Sequence, residues 1–365
     1  MLNSRMQSAD QGGRSGNTPI HGELGQADPI AGKRILFIGI GFYDYETAIK
    51  RRLERFGASV TYFLEQPRWH QSAFLRRLGS GLGIGIFASR ERYQRRLLKL
   101  IASIDFDYAF VIKGELLSED FLAQLRAHNQ RATFILYQWD SIRRTPSALR
   151  LRPYFNRALS FDRQDCQEHP DFIFRPLFYR DGAQNGEHPP SSLSYDLTFV
   201  GWFHSDRLDR LLAIESAFRA RGLRVYFYLY TGVGTYLRHL VRGEHGLLHF
   251  RRLPFERVSK IMAASKCVLD LPHADQNGLT MRAIEAIGMR RKLITTSSDI
   301  VNYDFYDGRN ILSIRELKAA EIASFVAGDS VSVPEDVLHK YSLDKWLEDV
   351  FGLSSTAEWQ SQSRR

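Results

Sequence analysis

Apolar and polar positions along this chain fall into alternating blocks of two periods. Lys33 to Gly39 is a short, almost wholly apolar run, the pattern of a strand covered on both faces. Tyr45 to Phe56 changes to helical spacing, and Ser59 to Phe63 returns to a strand pattern. The same reading predicts strands over Tyr108 to Ile112, Thr133 to Gln138 and Ala158 to Phe161, with a helix over Glu119 to Asn129, and Phe172 to Pro176 closes this half. Asp181 to Ser194 has no apolar run and is rich in Gly, Asn, Pro and Ser, the composition of a linker. The alternation then restarts. Strands are predicted at Leu197 to Gly201, Arg224 to Tyr230, Cys267 to Leu271 and Lys292 to Thr296, and a short extended piece at Leu247 to Phe250. Helices are predicted at Asp206 to Arg221, Thr235 to Val241 and Phe255 to Ser265, with another opening at Gly278. Two successive strand–helix series imply an α/β protein with two Rossmann-like parallel-sheet domains facing a cleft. The expected division is a loose lead-in over 1–32, a first domain over 33–180, a linker over 181–194, a second domain over 195–330, a helical segment over 331–353 and a loose tail over 354–365.

Composition narrows the class. The chain has 365 residues, with 44% hydrophobic and 25% charged positions, as expected of a globular protein. No apolar run approaches the length of a membrane helix, and the first residues lack the apolar core of a signal peptide, so a cytoplasmic location is expected. The two cysteines, Cys166 and Cys267, form no C-x-x-C pair, so neither a disulfide framework nor a metal site is expected. The net charge is +9, and the excess is local. Arg68, Arg76, Arg77, Arg90, Arg92, Arg95 and Arg96 face one acid, Glu91, among Trp69, Phe74, Leu75, Phe87 and Tyr93. That mixture suits peripheral contact with an anionic membrane surface. The alternatives are a solvated helix beside the glycine-rich stretch Gly79 to Gly85 and, least favoured, a nucleic-acid contact.

The densest candidate chemistry lies at Asn277-Gly278-Leu279-Thr280-Met281-Arg282-Ala283-Ile284-Glu285. A polar, glycine-containing loop that opens a helix after an apolar strand offers N–H groups to an anion such as a diphosphate. Arg282 and Glu285, three apart, share one helix face; the guanidinium suits phosphate and the carboxylate can accept ribose hydroxyls. A buried helix with one internal ion pair would give the same spacing. Gly201 ends a strand and precedes His204 and Arg207, which could meet the same diphosphate. Thr231 and Gly232 follow another strand and could border the nucleotide, or form an ordinary turn. His273, Asp275 and Gln276 precede Asn277 in its loop. In the first half, Gly39-Ile40-Gly41 is an incomplete dinucleotide fingerprint, with Asp44 at the third glycine position. Asp44, Glu46 and Asp140 are the acids at predicted strand ends. Each could serve as a base, or simply favour a helix start.

Taken together, Leu197–Gly201 with Arg207, Phe255-Glu256-Arg257-Val258 with Ser265 to Asp270, the Asn277–Glu285 segment and Asp304-Phe305-Tyr306-Asp307-Gly308-Arg309-Asn310-Ile311 resemble the donor-binding domain of GT-B glycosyltransferases. The similarity is to the bacterial group with a CgeB-like carboxyl-terminal domain, and spans about Leu197 to Ile311; the first half resembles the family only in architecture. The resemblance implies a hexosyl-type transferase that uses a nucleotide-sugar donor and a glycan or lipid-linked acceptor in surface polysaccharide, capsule or lipopolysaccharide synthesis, without a cofactor. In retaining relatives two glutamates lie eight positions apart. Glu285 matches the later, ribose-holding one, while the earlier position is Asn277, a departure that leaves stereochemistry and donor sugar open. A noncatalytic glycan- or nucleotide-binding protein of the same fold is the alternative.

Overall fold

The structure, a computed structural model, describes residues 29–41, 44–66, 86–180, 193–203, 205–243, 246–273, 276–354 and 359–361, without the side chains of 86–89, 205 and 206. Residues 1–28 of the expected lead-in, 181–192 of the expected linker, 67–85 of the basic region, His204, Asp275 and most of the expected C-terminal tail therefore lie outside the described residues.

The first sheet comprises β1 (Arg34–Gly39), β2 (Ser59–Leu64), β3 (Tyr108–Ile112), β4 (Thr133–Gln138), β5 (Arg157–Ser160) and β6 (Ile173–Phe174). Its helices are α1 (Tyr45–Arg55), α2 (Ile86–Ile101), α3 (Glu119–His128), α4 (Ser147–Leu151) and α5 (Arg163–Glu168). The second sheet comprises β7 (Tyr195–Trp202), β8 (Val225–Tyr230), β9 (Leu248–His249), β10 (Ser265–Asp270), β11 (Lys292–Thr295) and β12 (Ile311–Ser313). With it run α6 (Ser205–Arg219), α7 (Val233–Val241), α8 (Phe255–Ala263), α9 (Met281–Gly288), α10 (Ala319–Ala327), α11 (Glu335–His339) and α12 (Leu343–Phe351). All strand pairs within the two sheets are parallel.

Strand order places the ligand-binding ends. The first sheet runs β2-β1-β3-β4-β5-β6 and the second β12-β11-β10-β7-β8-β9. Each reverses direction once, between β1 and β3 and between β7 and β10. Beyond the carboxyl ends of the strands at such a reversal the connecting loops diverge and leave a crevice. The central strands are buried on both faces, as their unbroken apolar runs require: Ile35, Leu36, Phe37 and Ile38 are at most 1% exposed, and Phe37 stacks on Phe110 at 5.0 Å.

The chain crosses back at its end. α12 lies on the first sheet, where Trp346 packs at 4.7 Å from Tyr137 and 4.6 Å from Phe178. Arg175 Nε meets Asp349 Oδ2 at 2.9 Å with both side chains fully buried. Trp359 Nε1 donates to the same Asp349 oxygen. One apolar cluster joins the first sheet, these terminal helices and the inner face of α9, through Phe161, Tyr179, Leu279, Ala283, Ile284 and Ile287. Gly288 is needed there: a Cβ would stand 2.3 Å from the Tyr179 ring.

The helix expected to open at Gly278 begins instead at Met281. Thr280 is its cap, accepting the Ala283 N–H at 3.2 Å, and Asn277 to Leu279 form a loop.

Candidate functional site

Both reversal points open on one cleft of about 490 Å³. Ile40, Lys113, Trp139 and Asp140 reach it from the ends of β1, β3 and β4; Val200, Trp202, Tyr230, Leu271, Pro272 and His273 reach it from β7, β8 and β10. Tyr45, Arg144, Arg207, Gln276, Thr280, Arg282 and Glu285 complete the polar lining, and Met281 adds to the apolar part. A mostly apolar cleft with a few converging polar groups is the form small-molecule sites take.

The amino-terminal turn of α9 is its cationic centre. Asp270, fully buried at the end of β10, accepts from Thr280 Oγ1 at 2.7 Å, Arg282 Nη1 at 2.9 Å and Thr295 Oγ1 at 3.2 Å. These bonds fix the guanidinium of Arg282 across the end of β7, 4.8 Å from the Phe199 ring. Gly201 makes the room: a Cβ there would lie 2.8 Å from Phe199 Cζ and 3.1 Å from Arg282 Nη2. The first two amides of the helix, of Met281 and Arg282, have no acceptor among the described residues. Amides, dipole and guanidinium therefore converge on one spot suited to an anion.

One turn on, Glu285 is 3% exposed and lines the cleft. Its Oε1 accepts the Tyr45 hydroxyl at 3.1 Å and lies 3.6 Å from Arg180 Nε, so the carboxylate is tied to the opposite domain. Among the described residues Oε2 has no hydrogen-bond partner. Burial pushes the Glu285 carboxyl up to about 7, against the pull of Arg180 and the Tyr45 hydrogen bond. Burial likewise holds the Tyr45 hydroxyl well above its ordinary range, and lowers Arg180. Arg180 rests 4.3 Å from the Tyr45 ring.

The amides expected to meet a diphosphate are used otherwise. Asn277 and Gly278 both donate to Asp162 Oδ2, at 3.2 and 3.1 Å, while Asp162 Oδ1 caps α5 at Gln164 N. A carboxylate of the first domain thus occupies the anion position at this loop, and the open amides lie at Met281 and Arg282 instead. The Asn277 side chain bonds Gln164 Oε1. Gly278 presses on the other domain, since a Cβ would stand 2.7 Å from the Phe161 ring. Arg163 adds a second tie to Asp299 at 3.0 Å.

The remaining candidates divide in the same way. Arg207 lines the cleft but spends donors on the carbonyls of Trp202 at 3.2 Å, Leu271 at 2.7 Å and Pro272 at 3.3 Å, so it braces the loops after β7 and β10. Thr231 is buried, with its N–H on His249 O; Gly232 is the exposed cap of α7; Leu279 is a core residue; none of the three lines the cleft. Of the acids, Asp140 is in the cleft, with Oδ2 2.9 Å from Lys113 Nζ and Oδ1 3.1 Å from Arg144 Nη1. Burial opposes charge on Lys113, yet Asp140 and Glu115 raise it overall. Glu46 is buried, and its Oε1 accepts the amides of Ile40 and Gly41 at 3.1 and 2.9 Å. It shapes the β1–α1 loop, where a Gly39 Cβ would stand 2.7 Å from its Cγ. Asp44 is exposed in a left-handed turn with φ 58° and does not line the cleft. Tyr45, Arg180 and Asp162 escaped sequence reasoning because their roles depend on the opposite domain. Asp162 before α5 carried a helix-cap signal, but nothing local pairs it with Asn277 and Gly278.

No family profile and no curated protein sequence matches the chain. Solved structures do. The alpha,alpha-trehalose 6-phosphate synthase of Burkholderia multivorans is similar over 92% of this chain and 99% of its own, at 14% identity and a TM-score of 0.52. The UDP-forming alpha,alpha-trehalose-phosphate synthase of Burkholderia xenovorans, solved with glucose-6-phosphate, is similar over 91% of this chain and 95% of its own, at 13% identity and a TM-score of 0.52. At such identities the likeness is one of architecture, and it agrees with the strand orders and the shared cleft: this chain has the two-domain, Rossmann-like GT-B fold.

Proposed function

We propose that the protein is a glycosyltransferase that moves a hexose-type sugar from a nucleotide-diphosphate donor to a hydroxyl of a glycan or lipid-linked glycan, in the making of a bacterial surface polysaccharide. The observation that carries this reading is the amino-terminal turn of α9. Two open amides, the Arg282 guanidinium and, one turn away, the buried Glu285 carboxylate lie together in a cleft whose far wall is another domain. Diphosphate on the amides and Arg282, with ribose on Glu285, would leave the sugar facing Lys113, Asp140 and Trp139.

The chemistry then follows. The bond between the sugar's anomeric carbon and the diphosphate oxygen breaks, and its electron pair leaves with the nucleoside diphosphate. The acceptor oxygen bonds to that carbon and gives up its proton. The amides and Arg282 stabilise the charge that grows on the leaving oxygen, an electrostatic contribution that needs no reorganisation. Asp140 is the acid in reach of an acceptor, but Lys113 and Arg144 hold its two oxygens. A transfer in which the departing phosphate takes the proton needs no free carboxylate and suits this arrangement.

The same pairing of Asp140 favours one other reading, a noncatalytic nucleotide- or glycan-binding protein. Incubation with a panel of nucleotide sugars and glycan acceptors, read as released nucleoside diphosphate and product linkage by NMR, separates the two. Turnover with at least one donor is expected. Nucleotide binding without turnover of any donor, by transfer or hydrolysis, would establish the binder.

A further inference from the structure

Helix α7 is docked with its apolar side outward. Val233, Leu237, Leu240 and Val241 fall at i, i+4, i+7 and i+8, one continuous helix face. They are 57%, 51%, 40% and 89% exposed, and α7 has no buried residue at all. The face toward the domain carries Tyr236, which contacts Phe250 at 5.4 Å, and His239, which meets Phe203 at 5.1 Å. An amphipathic helix that served only the core would be turned the other way. Phe250, itself 48% exposed, extends the patch.

The sequence around this face is basic. Arg238, Arg242 and Arg251 are exposed, and Glu244 is the single acid from Val233 to Arg252, whose last residue is drawn toward Tyr230, Asp44, Tyr45 and Glu46 at the cleft. We propose that α7 with the adjoining Phe250 and Arg251 forms a docking surface for an anionic lipid bilayer, with the Val233, Leu237 and Val241 face entering the headgroup boundary and Arg238, Arg242 and Arg251 meeting lipid phosphates. A monotopic helix has this composition: apolar residues on one side, arginines at its flanks and too few residues to span. Charge selects the occupant, since a second copy of this chain would bring an equally basic patch against the first. Tyr230, which lines the cleft, stands three residues before Val233, so α7 follows directly on a strand that ends at the cleft. The proposed surface uses none of residues 67–85 and does not depend on the sugar-transfer reading.

Co-sedimentation of the full chain with vesicles tests it. Binding is expected to vesicles of mixed phosphatidylcholine and phosphatidylglycerol, weaker binding to phosphatidylcholine alone, and a fall with added salt. The double variant Leu237→Glu/Val241→Glu should lose about tenfold or more in vesicle affinity, because two inserted side chains are replaced by anions. Arg238→Gln and Arg242→Gln should each lose about fivefold. These side chains are exposed, so the variants should keep the circular dichroism, melting temperature and nucleotide affinity of the parent. Undiminished vesicle binding by the double variant would overturn the proposal. So would a parent chain that sediments as a dimer while the double variant sediments as a monomer, which would make this face an interface between copies.

Discussion

Glu285→Gln alters one charge in a side chain of unchanged shape. The carboxylate is buried, with Oε1 shared by the Tyr45 hydroxyl and Arg180 and Oε2 left to the cleft. If Oε2 holds a ribose hydroxyl, the variant replaces a charged hydrogen bond by a neutral one or by an opposed amide. Such bonds are worth about 1.5–3 kcal/mol, so the nucleotide diphosphate should bind about 10- to 150-fold more weakly. Stability should change little near neutrality, by about 1 kcal/mol or less, because burial already pushes this carboxyl up to about 7 and a large share of it is protonated there. The sign of the pH effect follows. The folded chain keeps this proton up to about 7, while an exposed glutamate loses it near 4.5, so the residue's contribution to stability falls as pH rises through that window and is level above it. The ligand prefers the charged form, so parent affinity should rise as pH climbs through 7, and this component should vanish in Glu285→Gln. Calorimetric titration of parent and variant with a nucleoside diphosphate from slightly acid to slightly basic pH measures both effects. Equal dissociation constants with equal pH slopes, in a variant with the parent's circular dichroism, would remove Glu285 from the site.

Three further substitutions probe the supporting structure. Gly201→Ala puts a methyl 3.1 Å from Arg282 Nη2 and 2.8 Å from Phe199, so it should displace the guanidinium and weaken nucleotide diphosphate binding by about 1–3 kcal/mol while nucleoside binding holds; paired calorimetric titrations read the difference. Gly278→Ala drives a methyl into the Phe161 ring, and should lower the chain's stability by about 1–3 kcal/mol in urea unfolding, loosening the Asp162 tie as well. Asp349→Ala strands the fully buried Arg175 and should cost about 3–5 kcal/mol by the same assay, far from the cleft, with nucleotide affinity in the folded fraction unchanged.

The parallel sheets were legible because their strands are buried on both faces. The central runs 35–38 and 267–269 carry that burial in unbroken apolar sequence. Arg282 and Glu285 were legible for a similar reason, since helix spacing alone puts them on one side. The start of α9 was misplaced because Asn277 and Gly278 look like a helix opening, while the capping of Ala283 by Thr280 and the claim of Asp162 on both amides are decided by packing between domains. The same applies to Tyr45 and Arg180, 240 and 105 positions before Glu285 in the chain. Contacts at that separation leave no periodic trace. Arg207 shows the converse: its place near the cleft followed from sequence, but its commitment to three backbone carbonyls could be seen only once the loops after β7 and β10 were side by side.

A crystal structure with a nucleoside diphosphate bound is the most direct check on the nucleotide grip. The diphosphate should lie on the Met281 and Arg282 amides beside the Arg282 guanidinium, with a ribose hydroxyl on Glu285 Oε2. A nucleotide bound elsewhere, or a cleft that stays empty at saturating concentration with Glu285 still closed against Tyr45, would contradict it.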